Sequence, residues 1–269
     1  MKIRMNKLSV MFFLSLFFAS NMILCFGQGN NPPARGGNVR MPALSPAQRD
    51  SIQKARDNAL RTDWANLRRY SEENKNLPAV ASGEKRVVFM GNSITEFWKT
   101  RDADFFTRNK SFIGRGISGQ TTPQMLVRFR SDVVNLKPAV VVILAGTNDI
   151  AGNTGPATIE EISGNIFSMA EIAKANKIKV VICSVLPVYK YSWSPNLEPA
   201  ETIIALNEIL QSYCRKNKIV YVDFHSAMAD EKKGLKAEYS PDGVHPNLEG
   251  YKVMDDLVEK AISKALKSR

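Results

Sequence analysis

The chain has 269 residues, 44% of them hydrophobic, enough for one sizeable core and too few for two full domains. Its three cysteines are too sparse for a disulfide framework. The formal charge of +11 comes from Lys and Arg scattered among acids, with no long basic block and no nucleic-acid motif, so it reads as a solvated surface.

Residues 1–27, MKIRMNKLSVMFFLSLFFASNMILCFG, place Lys2, Arg4 and Lys7 before an apolar stretch that lacks the length and flanks of a membrane span. This is the pattern of an export signal. A cut after Gly27 leaves small side chains near the scissile bond, whereas lipidation at Cys25 is disfavoured because Leu24 stands where a small residue is expected. Cleavage removes Cys25, leaving Cys183 and Cys214, both expected as buried free thiols. Residues 28–44 are rich in Gly, Pro and Asn, have little to bury, and read as a flexible linker. The folded domain is expected over 45–269. Ser45-Pro46 is a helix start, and the amphipathic stretch to about Asn74 is expected as an outer helix without a catalytic role.

From Lys85 onward, short Val/Ile/Phe runs alternate with longer helical patterns: RVVFM, KSFI, AVVVILAG, IKVVICSV and KIVYVDF. Five such strands suggest a parallel sheet. The third and fourth are nearly all apolar, as strands covered by helices on both faces must be. Helices are expected near 122–135, 158–176, 199–217 and 247–267.

Ligands of open parallel sheets bind beyond the carboxyl ends of the strands. Four segments fall there: Gly91-Asn92-Ser93, Gly116-Ile117-Ser118-Gly119, Gly146-Thr147-Asn148-Asp149, and Asp242-Gly243-Val244-His245 downstream of the fifth strand. Ser93 alone also reads as a helix cap. A serine hydroxyl becomes a nucleophile only when a base takes its proton, and the chain has two histidines, His225 and His245. In an Asp-Gly turn, a carboxylate at the Asp242 position is expected to be within reach of the far imidazole nitrogen of a histidine three residues later, which favours His245. His225 reads as a structural or rim residue. The Ser93 N–H at a helix start, the Gly119 N–H and the Asn148 amide are candidate donors to an oxyanion. Tyr189, Tyr191 and Trp193, in the loop after the fourth strand, are candidates to stack on a sugar face or line an acyl pocket, with plain loop anchoring as the alternative. Phe97 and Trp98 are core candidates first.

In order and spacing, from Arg86 to about Ala265, these four segments resemble the four blocks of the SGNH, or GDSL-type, hydrolases. The resemblance implies a three-layer α/β/α flavodoxin-like fold with a five-stranded parallel sheet and ester hydrolysis without metal or other cofactor. It also implies nucleophile Ser93, base His245, orienting Asp242, and oxyanion donors from Ser93, Gly119 and Asn148. One departure is Asn92, where the family's first block usually has Asp; asparagine keeps the shape and loses the charge. With Asp242 orienting the histidine, activity is expected to survive this change.

The expected function is an exported serine esterase, periplasmic or extracellular, acting through an acyl-enzyme. O-acetyl groups on carbohydrates are the first-choice substrate. A lysophospholipase or thioesterase-like lipid acylhydrolase is the alternative within the same chemistry, and a non-catalytic glycan-binding envelope protein is the alternative from another class. The expected partner is a small-molecule or oligosaccharide ester, with no nucleic acid and no stable membrane insertion after signal cleavage.

Overall fold

A computed structural model describes residues 45–268; the expected signal and linker lie outside the described residues. The chain divides into two compact units between Gln48 and Arg49, and the sheet and the candidate site belong wholly to the second.

Helix α1 (Pro46–Thr62) stops well short of Asn74, correcting the expectation of one long helix. The cause is local: the Asp63 carboxylate accepts the backbone N–H groups of Leu67 (2.8 Å) and Arg68 (3.0 Å), and Asn66 turns into the left-handed region at φ 55°. A short α2 (Ser71–Asn76) follows. The sheet region then runs β1 (Val87–Gly91), α3 (Ser93–Arg101), α4 (Ala103–Arg108), β2 (Phe112–Gly116), α5 (Thr122–Asp132), β3 (Val140–Leu144) and α6 (Thr147–Ile150). It continues with α7 (Ile159–Ala175), β4 (Lys179–Cys183), α8 (Ala200–Asn217), β5 (Val220–Val222), α9 (Phe224–Met228) and α10 (Leu248–Lys267).

All five strands are parallel, in the order β2-β1-β3-β4-β5. Alternate side chains face opposite layers. Val88, Met90, Val141, Ile143 and Ile182 pack with Met125 and Phe129 of α5, Ile166 of α7 and Leu206 of α8. Val87, Phe89, Val140, Val142 and Val181 pack with Trp98 of α3, Phe105 of α4 and Met254 and Val258 of α10. The result is the three-layer α/β/α fold, with β3 buried on both faces as its apolar run requires. Trp98 is a core residue, stacked between Phe105 at 5.3 Å and Tyr251 at 5.4 Å. Cys183 and Cys214 are buried and free. No helix among the described residues is long and apolar enough to cross a membrane.

The register levels three strand ends on one rim: Gly91 pairs with Gly116 on one side and Leu144 on the other. Strand order reverses between β1 and β3, the switch point where open sheets open a crevice. Glycine is required at two of these ends. A Cβ on Gly91 would meet Thr95 Oγ1 at 2.0 Å, and one on Gly116 would meet Glu96 N at 2.2 Å, so the first turn of α3 closes directly onto the strand ends. Strand β2 runs through Gly116, past the end expected from the apolar run KSFI, because its ladder with β1 continues to the Gly91–Gly116 pair.

Candidate active site

The first turn of α3 sets the position of Ser93. Asn92, not Ser93, caps the helix: its Oδ1 accepts the Ile94 N–H at 3.0 Å, leaving the Ser93 hydroxyl unspent. The cap needs only an oxygen acceptor, which a neutral amide supplies as well as a carboxylate would. As the first residue of the helix, Ser93 has a backbone N–H with no intrahelical acceptor, at the positive end of the helix dipole.

Ser93 Oγ lies 2.9 Å from His245 Nε2, and His245 Nδ1 lies 2.8 Å from Asp242 Oδ2. The last pair is set by a turn in which Gly243 adopts φ +75°, a conformation other residues disfavour. Asp242 Oδ1 accepts the N–H groups of Val244 (3.0 Å) and His245 (2.8 Å), and the Ser240 hydroxyl lies 3.1 Å from the same oxygen. Partial burial pushes the Asp242 carboxyl up, but the His245 N–H, the His245 ring and the Val244 N–H together outweigh it and hold the group at about 2. The carboxylate therefore stays charged through the neutral range. Just beyond, Arg101 Nη1 donates to the Pro246 carbonyl at 2.7 Å, and Asn247 caps α10, fixing the chain that leaves His245.

The opposite wall comes from the ends of β2 and β3. Gly119, at φ +78°, presents its carbonyl to Asn153 Nδ2 at 3.1 Å. Asn148, in the first turn of α6, donates one N–H of its amide to the Gln120 carbonyl at 2.9 Å; an amide has two such donors, so one remains. Asp149 ties this wall to α5, accepting Thr122 N at 2.8 Å and Thr122 Oγ1 at 2.6 Å. Burial pushes the Asp149 carboxyl up and the Thr122 bonds pull it back, leaving it at about 6. Sequence reasoning named Asp149 within its motif without a role. The available signal was chemical: an acid at the end of a buried strand must find donors.

His225 stands apart from this line. Its backbone N–H donates to Ser184 Oγ at 2.9 Å, its ring Nε2 is buried without a hydrogen-bond partner, and burial, opposed by Asp223, lowers its basicity. The three rim aromatics separate. Tyr189 is 61% exposed and Trp193 45%, while Tyr191 is 0% exposed. The Tyr191 hydroxyl is bound to Thr147 Oγ1 (2.8 Å) and to the Thr147 carbonyl (3.0 Å), so this ring anchors the loop rather than facing the cleft, a correction to its expected substrate contact. Trp193 approaches the His245 ring at 6.4 Å, and its indole N–H donates to Asn153 Oδ1 at 3.2 Å. Phe97 also reaches the site, its ring 5.4 Å from that of His245. Among the described residues, no group of three His, Cys, Asp or Glu is arranged to hold a metal ion.

Chemically, the arrangement offers a hydroxyl hydrogen-bonded to an imidazole that is itself held by a carboxylate, with the Gly119 loop and the Asn148 amide at the neighbouring strand ends. Residues 89–253 match the model of the GDSL-like Lipase/Acylhydrolase family. A solved structure of a GDSL-like lipase from Bacteroides thetaiotaomicron is 51% identical, with a TM-score of 0.74, and the likeness covers 76% of this chain and 100% of that one. An acetylxylan esterase of Xylanibacter ruminicola is 26% identical over 70% of this chain and 45% of its own length. Esterase TesA of Pseudomonas aeruginosa is 30% identical over 51% of this chain and 61% of its own. The chain thus spans about half the length of the curated relatives it matches.

Proposed function

The chain belongs to the GDSL-like lipase/acylhydrolase family, and on that premise we propose that it hydrolyses carboxylic esters through an acyl-enzyme on Ser93. The observation that carries this reading is the hydrogen-bonded line Ser93–His245–Asp242, at 2.9 and 2.8 Å, across 152 residues of sequence. Ser93 Oγ attacks the ester carbonyl as His245 Nε2 takes its proton. The oxyanion is stabilised by the N–H groups of Ser93 and Gly119 and the spare amide N–H of Asn148. The bond to the alcohol then breaks as His245 returns the proton to the departing oxygen. Water, deprotonated by the same ring, cleaves the acyl-serine and releases the acid and the free hydroxyl. Asp242 holds the tautomer and offsets the charge of the imidazolium.

For substrate, O-acetyl groups on carbohydrate are supported by the likeness to an acetylxylan esterase and by the exposed faces of Trp193 and Tyr189 on the rim, suited to a sugar ring. Residues 1–27 would act as the export signal and 28–44 as the linker, delivering the domain to the periplasm or the medium. The likeness to a GDSL-like lipase favours a second reading, a lipid acylhydrolase releasing longer acyl chains.

Acetate released from acetylated xylo-oligosaccharides, set against fatty acid released from lysophospholipid and acyl-thioester, separates the two. Faster acetate release is expected, lost in Ser93→Ala; preference for long acyl chains would overturn the acetyl assignment. Binding of the glycan without any turnover would point instead to a glycan-binding module.

A further inference from the structure

Gln120, which sequence reasoning passed over, is gripped on every polar group it has. It is buried, and its backbone N–H donates to the Ile117 carbonyl at 3.3 Å. Its carbonyl accepts the Asn148 amide at 2.9 Å, its Oε1 accepts Arg128 Nε at 2.5 Å, and its Nε2 donates to the Ala65 carbonyl at 2.8 Å. The buried Arg128 guanidinium that holds it also donates to the Gly91 carbonyl at 3.0 Å and the Arg115 carbonyl at 2.9 Å, the ends of β1 and β2, with Asp132 as its counter-charge at 3.0 Å. One side chain therefore ties together the strand end before Ser93, the loop of Gly119 and the amide of Asn148.

The Ala65 contact comes from a strap, residues 63–70, that precedes the family-matched region beginning at residue 89. The strap also grips the two elements that flank this loop, α5 and the end of β2. The Trp64 carbonyl accepts Gln124 Nε2 at 2.8 Å, and the Tyr70 hydroxyl donates to the Gly116 carbonyl.

We propose that Gln120 is a positioning residue for the oxyanion donors, and that the strap at residues 63–70 is part of the scaffold that holds it. This rests on the esterase reading above. Donors stabilise a transition state only if held in place beforehand, and a displacement near 1 Å is enough to forfeit much of their effect. A side chain bonded at both ends cannot drift, and the Gln120 carbonyl is what aims the Asn148 amide. Replacing the side chain leaves the carbonyl in the chain but releases its position, and it strands Arg128 Nε and the Ala65 carbonyl.

The test is a double-mutant cycle on 4-nitrophenyl acetate, with folding checked by circular dichroism. Gln120→Met is expected to lower kcat roughly 10- to 100-fold with KM within about 2-fold, because it acts on the transition state alone. Gln120→Glu keeps an oxygen for Arg128 and the buried volume but loses the donor to Ala65; a loss of about 10-fold is expected, and this variant decides the matter if the Met variant does not fold. In an Asn148→Ala background, the further loss from Gln120→Met should shrink to under about 3-fold. A folded variant with kcat near wild type, or a full multiplicative loss on top of Asn148→Ala, would overturn the proposal. If Asn148→Ala itself kept wild-type kcat, the oxyanion assignment would fall and this inference with it; a slow Asn148→Ala beside a normal Gln120→Met would remove only the role of Gln120.

Discussion

The two walls of the candidate site are built on different principles. The base side is a local module: the Asp242 carboxylate is held by groups between Ser240 and His245, and its side chain is 47% exposed. The proposed oxyanion side, apart from the exposed Gly119, is buried and non-local: Asp149 reaches Thr122, Gln120 reaches Ala65, and Arg128 reaches Gly91, 27 to 55 positions apart in sequence. A half-exposed local turn can lose its function without taking the fold with it. A buried network cannot, since each broken partner leaves another group unsatisfied. Rate and stability should therefore separate on one wall and move together on the other.

Ser93→Ala removes the group the two walls share, and its effect should be the largest: kcat down by about 10⁵ or more on a nitrophenyl ester, with an unchanged melting temperature. Asp242→Asn comes next, with a loss of about 10³ to 10⁴ as the imidazole adopts the wrong tautomer, and only a modest fall in melting temperature, because the partners that favour the carboxylate act at a half-exposed site. A marked destabilisation there would break the claim that the turn is self-contained. Asn148→Ala should cost about 10² to 10³ in kcat and also lower the melting temperature, because the Gln120 carbonyl is left buried without its donor.

Asp149→Asn sharpens the comparison through pH rather than rate. Folded Asp149 keeps its proton up to about pH 6, against an ordinary value of 3.8. Between those values the folded chain binds a proton the unfolded chain has released, so this group's contribution favours folding at low pH. That contribution declines as pH rises through the window, by about 2 kcal/mol. Urea denaturation at pH 4 and pH 6.5 should show this loss in the wild type, superimposed on other titrations, and a smaller one in Asp149→Asn, which cannot titrate. The same slope in both proteins would contradict the assignment.

The base side was also the more legible one. Asp242-Gly243-Val244-His245 carries its geometry in four consecutive residues, since a left-handed glycine folds the carboxylate back onto the ring three positions later. The strands were legible for a similar reason: the apolar run of β3 admits no exposed face. What was hidden depended on partners far away. Whether Asn92 or Ser93 caps α3 was not decidable from composition, because both side chains are good caps. Tyr191 looked like a rim residue until its hydroxyl met Thr147, 44 positions upstream. Gln120 and Arg128 carry no sequence signal beyond being polar; only the fold reveals that they are buried around the same strand ends. The break after Thr62 turned on one carboxylate choosing backbone donors over continued helix, a contest that periodicity does not register.

The central claim is that Ser93 is the nucleophile and that His245 activates it. Labelling with a fluorophosphonate, followed by peptide mass spectrometry, tests it most directly. One adduct per chain on the peptide bearing Ser93 is expected, abolished in Ser93→Ala and strongly slowed in His245→Ala. A wild-type protein that hydrolyses esters while Ser93 remains unlabelled, or labels equally fast without His245, would contradict it.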